Sequence, residues 1–79
     1  MAEAPLTLER IRADVAEVLY LTPEEIGDDT HLVDQGLDSV RLMTLVERWR
    51  SGGAGIEFAD LADLAAEPTV KRWSELLGR

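Results

Sequence analysis

The apolar residues of this chain recur at helical spacing and nowhere alternate. Leu8, Ile11, Val15, Val18 and Leu19 fall three and four residues apart, and so do Leu42, Leu45, Val46 and Trp49. Such a stripe covers one face of an α-helix, whereas a half-buried strand needs every second residue apolar. No run of the second kind is present, and no internal repeat. A chain of 79 residues patterned in this way packs helices on helices. At that size one domain is the ceiling, and it buries only about 60% of its unfolded surface.

Start and stop signals divide the chain. Thr7 is a natural N-cap for a helix from about Leu8 to Tyr20, although Arg10 rather than Glu stands three residues on, so the full capping box is absent. Thr22-Pro23-Glu24-Glu25 is a second start signal, stopped by Gly27 within about a turn. From Gly27 to Asp38 there is no period. Asp28, Asp29, Asp34 and Asp38 with two glycines mark a loop, and Leu32 and Leu37 are its expected anchors in the core. A loop this long in so small a domain is usually functional.

The second strong helix opens at Ser39 with Asp38 as its cap and ends in Ser51-Gly52-Gly53-Ala54-Gly55. A short third helix runs from roughly Phe58 to Ala66, where Pro68 stops it. The last follows the cap residue Thr69 and buries Val70, Trp73, Leu76 and Leu77. The expected fold is all-α: a small four-helix bundle with a long loop before helix 2 and a short helix 3. Residues 1–5 read as a flexible tail and 6–79 as the folded domain. Trp49 and Trp73 are assigned to packing.

Charge narrows the function. Eight Lys and Arg stand against 16 Asp and Glu, a formal charge of −8. A surface this acidic repels phosphate backbones and anionic bilayers, so neither nucleic acid nor membrane is an expected partner. No apolar run is long enough to cross a bilayer, and the N-terminal residues lack the basic start of a secretion signal. The absence of Cys removes disulfides and thiolate metal sites and suits a reducing cytoplasm. The charge is also uneven. Six acids lie between Glu24 and Asp38 with no Lys or Arg among them, whereas the following helix sets Arg41, Arg48 and Arg50 against Glu47 alone.

Few residues can carry chemistry. His31 is the only histidine and has no co-ligand of its kind. Glu24, Glu25, Asp28, Asp29 and Asp34 lack the spacing and terminal bidentate Glu of a calcium loop, so solvation accounts for them and no metal site is expected. There is no Gly-rich phosphate loop or nucleophile elbow. Ser39 remains. A serine in the first turn of a helix usually caps it. Here Asp38 holds the cap, which leaves Ser39 free to point outward. An anion attached there would sit at the positive end of the helix, beside unpaired N–H groups.

Leu32-Val33-Asp34-Gln35-Gly36-Leu37-Asp38-Ser39 resembles the attachment motif of the phosphopantetheine-dependent carrier proteins. Gly-x-Asp-Ser alone would be weak. The order and lengths of helices and loop match that family across nearly the whole chain. The resemblance implies that Ser39 carries a 4'-phosphopantetheine arm taken from coenzyme A, with Asp38 as motif residue and helix cap. Fatty-acid carriers typically present an acidic second helix, and peptidyl carriers usually read Gly-Gly-His/Asp-Ser. The pattern Asp38-Ser39-Val40-Arg41-Leu42-Met43, with Arg48-Trp49-Arg50, Ile56-Glu57-Phe58, Pro68-Thr69 and Trp73, is most similar to the aryl carrier domains of siderophore-type nonribosomal peptide synthetases.

That resemblance implies a non-catalytic, monomeric, cytoplasmic carrier. It would hold an aryl acid of the 2,3-dihydroxybenzoate or salicylate type as a thioester. Its partners would be a phosphopantetheinyl transferase, an aryl-acid adenylating ligase and a condensation or cyclisation domain. Val40, Arg41, Met43, Phe58 and Ala62 are the expected partner surface. Two alternatives stay open: a peptidyl or polyketide-type acyl carrier, and, from a different class, an acidic helical adaptor without a prosthetic group.

Overall fold

The computed structural model describes residues 6–53 and 55–77, and of Phe58 only the backbone. The tail expected over residues 1–5 and the Phe58 side chain lie outside the described residues. The described chain is all helix and loop, in the order α1 (Leu8–Leu19), a 3-10 turn (Pro23–Glu25), a second 3-10 turn (Leu32–Gln35), α2 (Ser39–Ser51), α3 (Phe58–Ala66) and α4 (Val70–Leu77). Its radius of gyration, 11.4 Å, matches the roughly 11.6 Å expected of one compact domain of this length. α1 packs against both α2 and α4, and α3 against α4.

Local signals set the helix starts. The Thr7 side chain accepts from the Arg10 N–H at 3.1 Å, and the Thr69 hydroxyl accepts from the Arg72 N–H at the same distance. Each cap gives one orphan amide of a first turn a partner. In the first 3-10 turn the Glu25 carboxylate reaches back to the Thr22 N–H at 2.8 Å. α1 ends differently from the usual pattern. Tyr20 occupies the left-handed region at φ 60°, with Leu21 N–H on the Ala16 carbonyl at 2.8 Å and Tyr20 N–H on that of Glu17. This is a Schellman ending in which Tyr stands where Gly is favoured.

The core runs the length of the bundle. Ile11, Val15 and Leu19 of α1 meet Leu42, Leu45, Val46 and Trp49 of α2, Leu64 of α3, and Val70 and Trp73 of α4, all buried. Trp49 and Trp73 pack edge to face, with ring centroids 6.1 Å apart and planes at 82°. Both indole N–H groups are satisfied: Trp49 donates to Asp14 of α1 at 2.7 Å, Trp73 to the Leu64 carbonyl at 2.9 Å. Leu76 and Leu77 are only partly buried.

One sequence expectation needs adjustment. The stretch from Gly27 to Asp38 is not wholly irregular, because Leu32–Gln35 makes a 3-10 turn. Four residues are too few to show a period. α3, with nine residues against 12 in α1 and 13 in α2, is short as expected.

Candidate functional site

The loop before α2 is fixed at several points along its length. Gly27 N–H donates to the Thr30 hydroxyl at 2.8 Å, and Thr30 N–H returns to the Gly27 carbonyl, closing a turn. Leu32, fully buried, donates its N–H to the Pro68 carbonyl at 2.8 Å, and so ties the loop to the α3–α4 junction. The 3-10 turn then closes on Gly36, at φ 109°, where a side chain would be strained. Leu37 N–H donates to the Leu32 carbonyl at 3.0 Å, and the Leu37 side chain is buried. The chain therefore enters α2 from a fixed platform of two leucines.

Asp38 is the N-cap of α2. One carboxylate oxygen accepts from the Arg41 N–H at 2.9 Å and the other from the Arg41 guanidinium at 3.0 Å. Ser39 is the first helical residue and is exposed. Among the described residues nothing hydrogen-bonds its hydroxyl, and the N–H groups of Ser39 and Val40 have no acceptor. An exposed hydroxyl beside two free amides at a helix N-terminus favours a covalently held anion. His31 is exposed on the loop and makes no bond to Ser39. No carboxylate or imidazole among the described residues hydrogen-bonds the Ser39 hydroxyl. Nor do three or more His, Cys, Asp or Glu among them gather closely enough to hold a metal ion.

Two exposed apolar side chains lie beside Ser39. Val40 is 72% exposed and Met43 42% exposed, both in the first two turns of α2. Ser39 and Met43 are four apart and share a face of the helix. Ala62 is exposed on α3. Val33, on the 3-10 turn, and Tyr20, at the end of α1, are exposed large side chains that helical spacing did not single out. A short aperiodic run hides the first, and only the left-handed backbone explains the second. A groove of about 530 Å³ lies on the other flank of α2, between Val18 and Tyr20 on one side and Val40, Arg41 and Thr44 on the other; Ser39 does not line it.

The arginines of α2 do not form a basic surface. Arg41 is paired with Asp38, and Arg48 with Glu17 and, at 3.6 Å, with Asp14. Of the three, only Arg50 has no ion pair among the described residues. The excess of base counted along the helix is largely offset by Asp38 at its own cap and by Asp14 and Glu17 of α1.

Comparisons with known proteins place the chain in a family. The family model described as phosphopantetheine attachment site matches residues 9–77. An isochorismatase of Bacillus subtilis is 52% identical over 71 residues, which cover 90% of this chain and 22% of that protein. The acyl carrier protein ScoB of Streptomyces coeruleorubidus is 45% identical over 74 residues, 94% of this chain and 84% of its own. The phenyloxazoline synthase MbtB of Mycobacterium tuberculosis is 46% identical over 77 residues, 98% of this chain but 5% of the synthase. The chain thus spans most of one relative and a small part of the other two. No solved structure gives a significant match.

Proposed function

The chain belongs to the phosphopantetheine attachment-site family, and from that premise we propose that it is an aryl carrier domain, residues 6–79, whose Ser39 bears the arm. The observation that supports Ser39 most is the division of labour at the start of α2: Asp38 caps the helix, and the Ser39 hydroxyl is left exposed and unbonded. When attached, the arm supplies a long flexible thiol that holds an acyl group as a thioester. Its phosphodiester would lie against the free N–H groups of Ser39 and Val40, with Arg41 the cation nearest in sequence.

This chain does no catalysis in the proposal. Ser39 has no base of its own, so a phosphopantetheinyl transferase must remove its proton while delivering the arm from coenzyme A. An aryl-acid adenylating ligase then loads the thiol, and a condensation or cyclisation domain unloads it, in siderophore-type nonribosomal peptide synthesis in the cytoplasm. Tethering raises the local concentration of the cargo at each partner. The partners must dock and leave, which suits the exposed side chains of Val40 and Met43 and the partly exposed Arg41, with Ala62 on α3. The aryl cargo is supported by likeness to a synthase whose name denotes a phenyl-bearing oxazoline.

ScoB, an acyl carrier protein by name, favours a second reading as a polyketide-type carrier. A ligase panel separates the two. The arm-bearing protein should accept salicylate or 2,3-dihydroxybenzoate faster than amino acids or malonyl groups. Preferential amino-acyl or malonyl loading contradicts the aryl assignment.

A further inference from the structure

Arg12 lies on α1, far in sequence from the loop that leads to Ser39, yet it is the one side chain outside that loop and α2 that hydrogen-bonds it among the described residues. Its guanidinium donates to the Ile26 carbonyl at 2.6 Å and to the Asp28 carboxylate. The Arg12 side chain is only 22% exposed, and Ile26 is buried. The Ile26 carbonyl has no other partner among the described residues. Asp28 is held on its other side too, because its carbonyl accepts the Lys71 N–H in the first turn of α4 at 3.1 Å. Arg12 therefore joins α1, the loop and, through Asp28, the start of α4.

An exposed ion pair alone would contribute little. This contact differs in two ways. A planar fork satisfies a backbone carbonyl and a carboxylate at once, and its loss strands the carbonyl of a buried residue. It also closes a loop whose remaining tie upstream of the 3-10 turn is the single Lys71 bond.

We propose that Arg12 is a positioning residue: by clamping Ile26 and Asp28 to α1 it fixes the loop from Gly27 to Asp38, and so the presentation of Ser39 to the transferase. The inference rests on Ser39 as the attachment residue. Released, the loop keeps its leucine anchors but samples several approaches to α2, and only some present Ser39 to the partner. The defect belongs in encounter and binding, not in the transfer itself.

The experiment measures phosphopantetheinyl transfer from coenzyme A at varied carrier concentration, with amide hydrogen exchange read alongside. Wild-type protein that takes up no arm overturns the Ser39 reading and leaves nothing for Arg12 to position. With wild type loading, Arg12→Ala should raise KM for the carrier by about fivefold or more, with kcat within about twofold. The Leu32 and Lys71 amides should exchange faster, while those of α2 do not. Arg12→Lys, which keeps the charge but not the fork, should fall between. An unchanged KM in Arg12→Ala, despite faster exchange in the loop, overturns the proposal, as does a loss confined to kcat. Should Arg12→Ala fail to fold, Arg12→Lys decides: it keeps the charge but cannot satisfy the Ile26 carbonyl and the Asp28 carboxylate as a planar fork, so a folded protein with a raised KM supports the clamp and one with wild-type KM contradicts it.

Discussion

The two halves of this bundle are held by different forces. Around Trp49 and Trp73 the structure rests on buried apolar area: two indoles packed edge to face, with both N–H groups satisfied, and leucines and valines from all four helices around them. Around Ser39 it rests on a few polar ties and two buried leucines, with the hydroxyl itself exposed. The first arrangement is strong and tolerates little change. The second fixes one backbone path while leaving the surface side chains free of structural duty. Stability and presentation of Ser39 are therefore separable, and substitutions can test that separation.

The largest expected effect lies in the aromatic half. Trp73→Ala removes a fully buried indole and should cost about 3–5 kcal/mol in denaturant titration, much of the margin of so small a domain. Where the variant is still folded, its rate of taking up the arm should stay near wild type. A rate that falls in parallel with stability would break the separation. Gly36→Ala should cost less, about 1–2 kcal/mol, because the nearest atom to an added Cβ is 4.0 Å away and the cost is backbone strain at φ 109°. Yet it should slow uptake of the arm more than Trp73→Ala does, since the turn aims the entry to α2. Smallest is Asp38→Ala, at about 1 kcal/mol for a lost cap. It frees both the Arg41 N–H and its guanidinium, and thermal melting should show the modest loss.

The sequence was most informative where structure is local. α1 and α2 declare themselves through apolar stripes, and Thr7, Asp38 and Thr69 through cap chemistry with the amide three residues ahead. Leu32 and Leu37 were legible as anchors because they are the isolated apolar residues of a polar stretch. What stayed hidden is non-local or conformational. Nothing near Arg12 announces partners 14 and 16 residues away. The base of α2 looked like a surface property until Glu17 and Asp14 were found beside Arg48. Tyr20 gives no sign of a left-handed backbone, which glycine would have advertised. For the candidate site, the motif pointed to Ser39 and cap chemistry to Asp38; the fold adds the second bond from the Arg41 guanidinium to Asp38 and an exposed Ser39 with no side-chain partner among the described residues.

Ser39 is the proposed point of attachment of the arm, and its side chain plays no part in holding the fold. The direct measurement is intact mass after incubation with coenzyme A and a broad-specificity transferase, for wild type and Ser39→Ala, with helical circular dichroism recorded on both. Wild type should gain one phosphopantetheine and Ser39→Ala none, with superimposable helical spectra. No gain in wild type, or a gain that survives in Ser39→Ala, would contradict that assignment.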